Sequence, residues 1–74
     1  MSKSVVVDRV AVVSEMVRQN LTVIELSRKA GVGLSAVQAM RRGRPVWRTT
    51  AQHVAAALGV PLEDLLDEGG AVHE

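Results

Sequence analysis

Residues 21–43 read LTVIELSRKAGVGLSAVQAMRRG, and this stretch decides the fold. It predicts one helix over residues 23–30 and a second helix from residue 33 or 35 to residue 42, joined by a short turn between two glycines. Two helices joined in this way are typical of a helix-turn-helix unit, whose second helix fits the major groove of double-stranded DNA. The stretch therefore predicts a DNA-binding domain.

The ends of both helices carry local signals. Thr22 and Glu25 have the spacing of a capping box, in which each side chain accepts a hydrogen bond from the other residue's backbone N–H. Gly31 is expected to end the first helix, and Gly43 followed by Pro45 is expected to end the second. These signals set the lengths of both helices before any packing is considered.

Further helices are predicted on either side of this unit. Val6, Val10, Val13 and Val17 follow the repeat of one helical face, so a helix is predicted over about residues 5–19 with these valines towards the core. Asparagine then follows as a plausible helix stop.

After the central unit, residues 44–48 are predicted to form a loop. A fourth helix is predicted over residues 51–58, capped by Thr49 or Thr50, and a short fifth helix begins at Pro61. The fold class expected from this order is all-α, with five helices and no strand.

The chain of 74 residues is short enough to make one domain, predicted to span residues 1–74 with a folded core at 5–68 and a flexible tail at 69–74. No apolar run reaches the roughly 18 residues of a membrane span, so a cytoplasmic protein that does not engage membranes is expected. Cysteine is absent, which excludes disulfides and thiolate chemistry.

Catalysis is not expected. His53 and His73 have no acidic residue at a spacing that would build a catalytic triad or a metal site. No glycine-rich phosphate loop is present. The sequence therefore predicts no enzyme activity, no metal, no cofactor and no small-molecule substrate.

The distribution of charge is more informative than the net charge of +1. Residues 28–53 contain six basic side chains and no acidic ones, whereas residues 54–74 contain five acidic side chains and no basic ones. A basic middle segment is typical of a protein that binds a polyanion, although a solvated charged face has the same composition.

Three stretches in this order resemble one known family. Residues 21–33, 34–43 and 56–66 are similar to the helix-turn-helix, the recognition helix and the closing segment of the Cro/repressor-type (XRE-type) family, and the resemblance covers about residues 10–67. It implies a compact five-helix lambda-repressor-like domain that binds a DNA operator, commonly as a dimer on a two-fold site. The function expected is a small, Cro-like transcriptional repressor of a phage or a bacterium.

A helical wheel independently selects a face of the recognition helix. At 100° per residue Val37 and Met40 share the inner side, and the polar residues lie opposite. Serine and glutamine can hydrogen-bond base edges, leucine and alanine can contact thymine methyl groups, and arginine can bind guanine. The predicted base-contacting residues are Leu34, Ser35, Gln38, Ala39 and Arg42.

Phosphate contacts are expected from two sources. The cations around the recognition helix attract the DNA backbone, and the N-terminus of the preceding helix can hold a phosphate on its free N–H groups. The family resemblance adds the first residue of that helix, where a glutamine often grips phosphate. The predicted phosphate-contacting residues are Thr22, Val23, Arg41, Arg44 and Arg48.

The sequence departs from the family pattern at several of these positions. Val23 replaces the usual glutamine, and Leu34 and Ala39 occupy positions that are often polar. The usual internal ion pair is absent, because Arg41 stands where a glutamate is common and Met16 where its arginine partner is common. These changes predict less direct base readout and more phosphate contact and shape readout.

Two further features leave alternatives open. Trp47 is expected to form a lid over the core between the third and fourth helices, and otherwise to pack against the DNA backbone or a partner subunit. A weak homodimer that forms or strengthens on DNA is expected. Its first candidate surface is the C-terminal leucines with the loop around Trp47, and its second is the additional apolar strip of the first helix, which consists of Val5, Val12 and Met16.

Two other functions fit a small basic domain. A phage excisionase-like recombination factor should carry a basic β-wing after the recognition helix, whereas the segment after Gly43 is predicted to be loop and then helix. An antitoxin-type interaction module of the same fold would have no need of the acid-free basic segment.

Overall fold

The computed structural model describes residues 3–66, so the predicted tail at 69–74 and the last two residues of the predicted core lie outside the described residues. Two short strands and four α-helices are followed by one 3₁₀ helix. In chain order they are β1 (Ser4–Val6), α1 (Arg9–Arg18), α2 (Val23–Ala30), α3 (Leu34–Arg41), β2 (Pro45–Trp47), α4 (Arg48–Leu58) and the 3₁₀ helix (Leu62–Asp64).

Helix α1 begins later than its apolar pattern predicts. Asp8 caps it, because its side chain accepts a hydrogen bond from the backbone N–H of Val10 at 2.9 Å. At the other end, the side-chain amide of Gln19 donates to the backbone carbonyl of Leu58 at 2.7 Å. This bond joins the end of α1 to the end of α4.

The valine stripe of α1 that was predicted to face the core faces solvent instead. Val12 and Met16 face the core, with Val12 fully buried, whereas Val10 and Val17 are 65% and 74% exposed. The helix carries apolar residues on two faces, and the residues of each face recur with the spacing of a helix. Only the packing of Val12 and Met16 with the rest of the core decides which face turns inward, and local spacing does not contain that information.

A two-stranded antiparallel sheet corrects both the loop predicted at residues 44–48 and the strictly all-α fold class. Strands β1 and β2 pair Val5 with Val46, and Val46 is buried. Successive β-branched residues favour the extended backbone of β1. Proline lacks an N–H and is tolerated here because β2 is short and Pro45 begins it.

Helix α4, in contrast to α1, is longer than predicted. It begins at Arg48, directly after β2, and Trp47 is its N-cap residue without a side-chain capping bond. Neither of the two threonines predicted as caps is used, because both lie within the helix. Gly59 ends α4 in the left-handed conformation at φ 75°, as the sequence predicts.

The core lies between the four α-helices and is closed at one end by the sheet and the 3₁₀ helix. Helix α2 packs on both α3 and α4, and α1 packs on α3. The chain after the 3₁₀ helix is tied to the start of α1, because the backbone N–H of Asp8 donates to the carbonyl of Leu65 at 2.7 Å. Among residues 3–66, the buried apolar residues are Val7, Val12, Met16, Leu26, Val37, Met40, Val46, Ala51, Val54, Ala55, Leu58 and Leu65.

The orientation of α1 is tested by the same substitution on its two faces. Val12→Ala should lower the free energy of unfolding by about 1–3 kcal/mol, because it removes two buried methyl groups. Val10→Ala should change it by less than about 0.5 kcal/mol, since that side chain is exposed. Urea denaturation of both variants measures the difference, and an equal or reversed loss would contradict the orientation of α1.

Candidate nucleic-acid interface

The turn between α2 and α3 holds the two helices of the predicted unit at a fixed angle. Gly31 adopts the left-handed conformation at φ 70°, and its N–H donates to the carbonyl of Ser27 at 2.9 Å. The hydroxyl of Ser27 then donates to the carbonyl of Val32 at 2.6 Å. Ser27 therefore connects the end of α2 to the chain that enters α3, because its carbonyl accepts and its hydroxyl donates.

Helix α3 presents one face to solvent. Val37 and Met40 are fully buried beneath it, which agrees with the inner side of the helical wheel. Of the five predicted base-contacting residues, Leu34, Ser35, Gln38 and Arg42 are exposed and Ala39 is half-buried. The structure brings all five together on or beside one outward surface of α3.

A polar concavity of about 220 Å³ lies on one side of this surface and is lined by Gln38, Arg41 and Arg42. Within residues 3–66, the one salt bridge joins Arg18 to Glu15 on α1. The hydrogen bond from Arg18 is the main cause of the lowered pKa of the Glu15 carboxyl. The arginines of α3 are therefore not neutralised by any carboxylate in the described part of the chain.

An apolar groove of about 360 Å³ lies on the other side of the same surface, between α3 and the sheet. Ser35 and Ala39 line it from α3, and Trp47 lines it from β2. The side chain of Trp47 is 59% exposed, so the prediction of a lid over the core is wrong. Val46 is the buried residue of β2, because alternate residues of a strand point to opposite faces.

The remaining predicted arginines are adjacent in sequence to residues of β2 that line the groove. Arg44 follows Gly43, which has a φ of 73°, and the backbone N–H of Arg44 donates to the carbonyl of Ala39 at 2.9 Å. Arg48 is the first residue of α4, and its backbone N–H donates to the carbonyl of Lys3 at 2.6 Å. Both arginines are exposed.

The N-terminus of α2 contains the predicted capping box. The hydroxyl of Thr22 accepts from the N–H of Glu25 at 3.1 Å, and the carboxylate of Glu25 accepts from the N–H of Thr22 at 2.8 Å. The prediction of Thr22 as a helix cap is therefore confirmed. Val23 is half-buried, and its side chain is apolar. Its backbone N–H is therefore the group that can contact a phosphate.

Sequence reasoning missed the residues that β1 brings to this region. Lys3 and Ser4 lie beside Arg48 and Trp47 because of the strand pairing. The run of three valines at residues 5–7 was the one local signal for a strand. It was overlooked because Val6 also fits the helical repeat of Val10, Val13 and Val17.

Other kinds of site receive no support from the described part of the chain. His53 is exposed on α4, and residues 3–66 contain no group of three or more histidine or acidic side chains arranged to hold a metal ion. Over the same residues, no helix has the length and hydropathy needed to cross a membrane.

Comparison with known families agrees with this geometry. The family model of the Cro/C1-type HTH DNA-binding domain matches residues 14–67. This match covers most of the chain, and it includes α2, α3 and α4. The chain belongs to this family of DNA-binding transcription regulators. No curated protein and no solved structure matches the chain significantly.

The turn between α2 and α3 is tested by one substitution at its two glycines. Gly31→Ser should lower the free energy of unfolding by about 1 kcal/mol, because a side chain is strained at positive φ. Gly33→Ser should raise it by a few tenths of a kcal/mol or more, because Gly33 is the extended N-cap of α3 and serine supplies a capping oxygen. Thermal unfolding compares the two variants, and equal effects would contradict these assigned backbone roles.

Proposed function

We propose that the protein is a sequence-specific transcriptional repressor, of a phage or a bacterium, that inserts α3 into the major groove of a duplex operator. The observation that carries this proposal is the outward face of α3, where base-reading side chains lie beside arginines that no described carboxylate neutralises. Such a protein acts in the cytoplasm, on the DNA of the nucleoid.

Direct base readout comes from the centre of the α3 face. Gln38 can bind adenine with its amide, which offers one donor and one acceptor at the right spacing. Arg42 can bind guanine, and Ser35 can hydrogen-bond either kind of base edge. Leu34 and Ala39 contribute apolar contact with thymine methyl groups.

Phosphate contacts surround this centre. Arg41 and Arg44 extend from the end of α3 and from the turn after it, and Arg48 extends from the start of α4. At the start of α2 the capping box uses the N–H groups of Thr22 and Glu25. The N–H groups of Val23 and of the next residue are not engaged by that box and can approach a phosphate.

The composition of the α3 face predicts how specificity is obtained. Two of the five base-contacting positions, Leu34 and Ala39, have no hydrogen-bonding side chain. Fewer directional contacts leave a larger share of the discrimination to the shape and deformability of the DNA. The operator is therefore expected to contain positions that affect affinity without touching the protein.

The strand after α3 favours a repressor over an excisionase-like factor. A β-wing is a hairpin formed by strands adjacent in sequence, whereas β2 pairs with the N-terminal strand β1 across the whole helix-turn-helix unit. Within residues 3–66 no second strand follows β2 to make a hairpin with it. The antitoxin-type alternative has no specific observation in its favour.

A weak homodimer on DNA is part of the proposal, with its interface on the outer face of α1. The C-terminal leucines are poor candidates, because Leu65 is in the core and Leu62 is half-buried. The second predicted surface is wrong as well, because Val12 and Met16 are in the core and Val5 lies in β1. The other face of α1, with Val10, Val13 and Val17, is the exposed apolar one.

The size of this valine face limits the strength of pairing. A ten-residue helix is about 15 Å long and offers less than the roughly 800 Å² per partner of a standard stable interface. Pairing is therefore expected to be concentration-dependent and to strengthen when two half-sites hold two copies together.

Base readout and phosphate contact are separated by two variants in the same concavity. Gln38→Ala should relax the base preference at one position, at a cost of about 1–3 kcal/mol for a bidentate contact. Arg41→Ala should weaken binding to all duplexes and reduce the slope of log K against log salt by about 0.9. In-vitro selection from random duplex DNA, followed by affinity measurements over a salt series, gives both results.

The two outcomes contradict different parts of the proposal. Unchanged base preference in Gln38→Ala removes that residue from the base-reading set, and an unchanged slope in Arg41→Ala removes the phosphate contact. A wild-type protein that selects no sequence and binds no duplex refutes the proposed function as a whole.

Pairing through α1 is tested by Val17→Gln. This variant replaces valine with a better helix-forming residue. It should abolish cooperative binding to a two-half-site operator, while leaving binding to one half-site unchanged. Sedimentation of the protein–DNA complex counts the protomers. Trp47→Ala serves as the control for the competing surface, and loss of the second protomer in that variant alone would place the interface at the sheet instead.

A further inference from the structure

Resting on the proposed function, we propose that the β1–β2 sheet is a second DNA-contacting element that holds the sugar–phosphate backbone beside the major groove. Its contact residues are Lys3, Trp47 and Arg48. The sheet adds a backbone contact on one flank of the site, outside the bases that α3 covers.

The register of the sheet creates this surface from distant parts of the sequence. Ser4 lies opposite Trp47, and the carbonyl of Lys3 accepts a hydrogen bond from the N–H of Arg48 at 2.6 Å. Two exposed cations, from the start of the chain and from the start of α4, are thus neighbours. The N-terminal segment therefore contributes to the basic surface, although the first third of the sequence is balanced in charge.

The apolar groove connects this surface to the recognition helix. Ser35 and Ala39 form one wall, and Ser4, Trp47 and Thr50 belong to the opposite side. Since Ser35 and Ala39 lie on the outward face of α3, a duplex held by that face has its nearer backbone next to the sheet. An indole ring at this place can pack on a deoxyribose, and the hydroxyls can donate to phosphate oxygens.

Charge complementarity identifies the occupant of the groove as a polyanion. Lys3, Arg44 and Arg48 are exposed and each is adjacent in sequence to a residue that lines it. The chain has no acidic residue between Glu25 and Glu63. A groove for an uncharged ligand gains nothing from such a rim, whereas a DNA backbone releases its counterions when these cations replace them. The contact is independent of base sequence, because sugars and phosphates are the same at every position.

The test uses the full chain and the duplex that in-vitro selection recovers for the wild-type protein. Lys3→Gln should reduce the slope of log K against log salt by about 0.9, the value for one phosphate contact. Trp47→Ala should weaken binding about three- to tenfold, with the slope unchanged, because it removes apolar contact and no charge. Neither variant should alter the base preference.

Arg18→Gln is the matched control for charge. Arg18 lies at the end of α1, which Gln19 ties to the last residue of α4, and Arg48 is the first residue of that helix. The two positions are therefore separated by about the 17 Å length of an eleven-residue helix. The control removes one positive charge, as Lys3→Gln does, and should leave the salt slope at the wild-type value.

Hydroxyl-radical footprinting locates the contact. The wild-type protein should protect sugars on one flank of the half-site, and Lys3→Gln and Trp47→Ala should lose protection there alone. Circular dichroism and urea denaturation verify that the substitutions at these two exposed positions leave the fold intact.

The possible results separate the two claims. If the wild-type protein binds its selected duplex and both sheet variants match it in affinity, slope and footprint, the sheet contact is refuted and the proposed function stands. If Trp47→Ala changes the number of protomers in the complex and not the flanking protection, the sheet is a protein–protein surface and the inference is overturned. Failure of the wild-type protein to bind any duplex refutes the proposed function itself.

Discussion

The burial of Val37 and Met40 is the interaction on which the rest of the structure depends. Helix α3 has only eight residues, too few to be stable without tertiary packing. These two fully buried side chains set its rotation about its own axis, and the five positions of the outward face follow from that rotation. A recognition helix turned by one residue would carry Met40 or Val37 towards the groove and place Gln38 at the edge of the core.

The second constraint is the closure of the chain by backbone pairing. Strands β1 and β2 bring Ser4 to Trp47, and an isolated bridge joins Val7 to Leu66. A small domain without disulfides has few other means of fixing its ends. The same pairing brings Lys3 beside Arg48 and places Ser4 and Trp47 on the groove next to α3, so one set of hydrogen bonds closes the core and enlarges the candidate interface.

The sequence predicted those parts of the fold that depend on local signals. The capping box of Thr22 and Glu25 and the left-handed Gly31 are properties of a few adjacent residues, and α2 and its turn were predicted to within a residue. The valines of α1 were assigned to the wrong face, because periodicity gives the spacing of a stripe and not the direction it points. The sheet was missed because its pairing joins residues about forty positions apart, and Trp47 was misplaced with it. The helical wheel predicted which residues share the outward face of α3. The groove beside that face could not be predicted, because the sheet that forms one of its walls was missed.

The exposure of Trp47 has a spectroscopic consequence. The protein contains one tryptophan, no tyrosine and no phenylalanine, so this indole is its sole strong near-ultraviolet chromophore and fluorophore. Its emission originates at the groove beside α3 and not in the interior. Without any label, the intrinsic fluorescence therefore reports the local environment of that surface. The packing of the aliphatic core is nearly silent in the same signal and has to be followed through the far-ultraviolet absorption of the backbone or through methyl resonances.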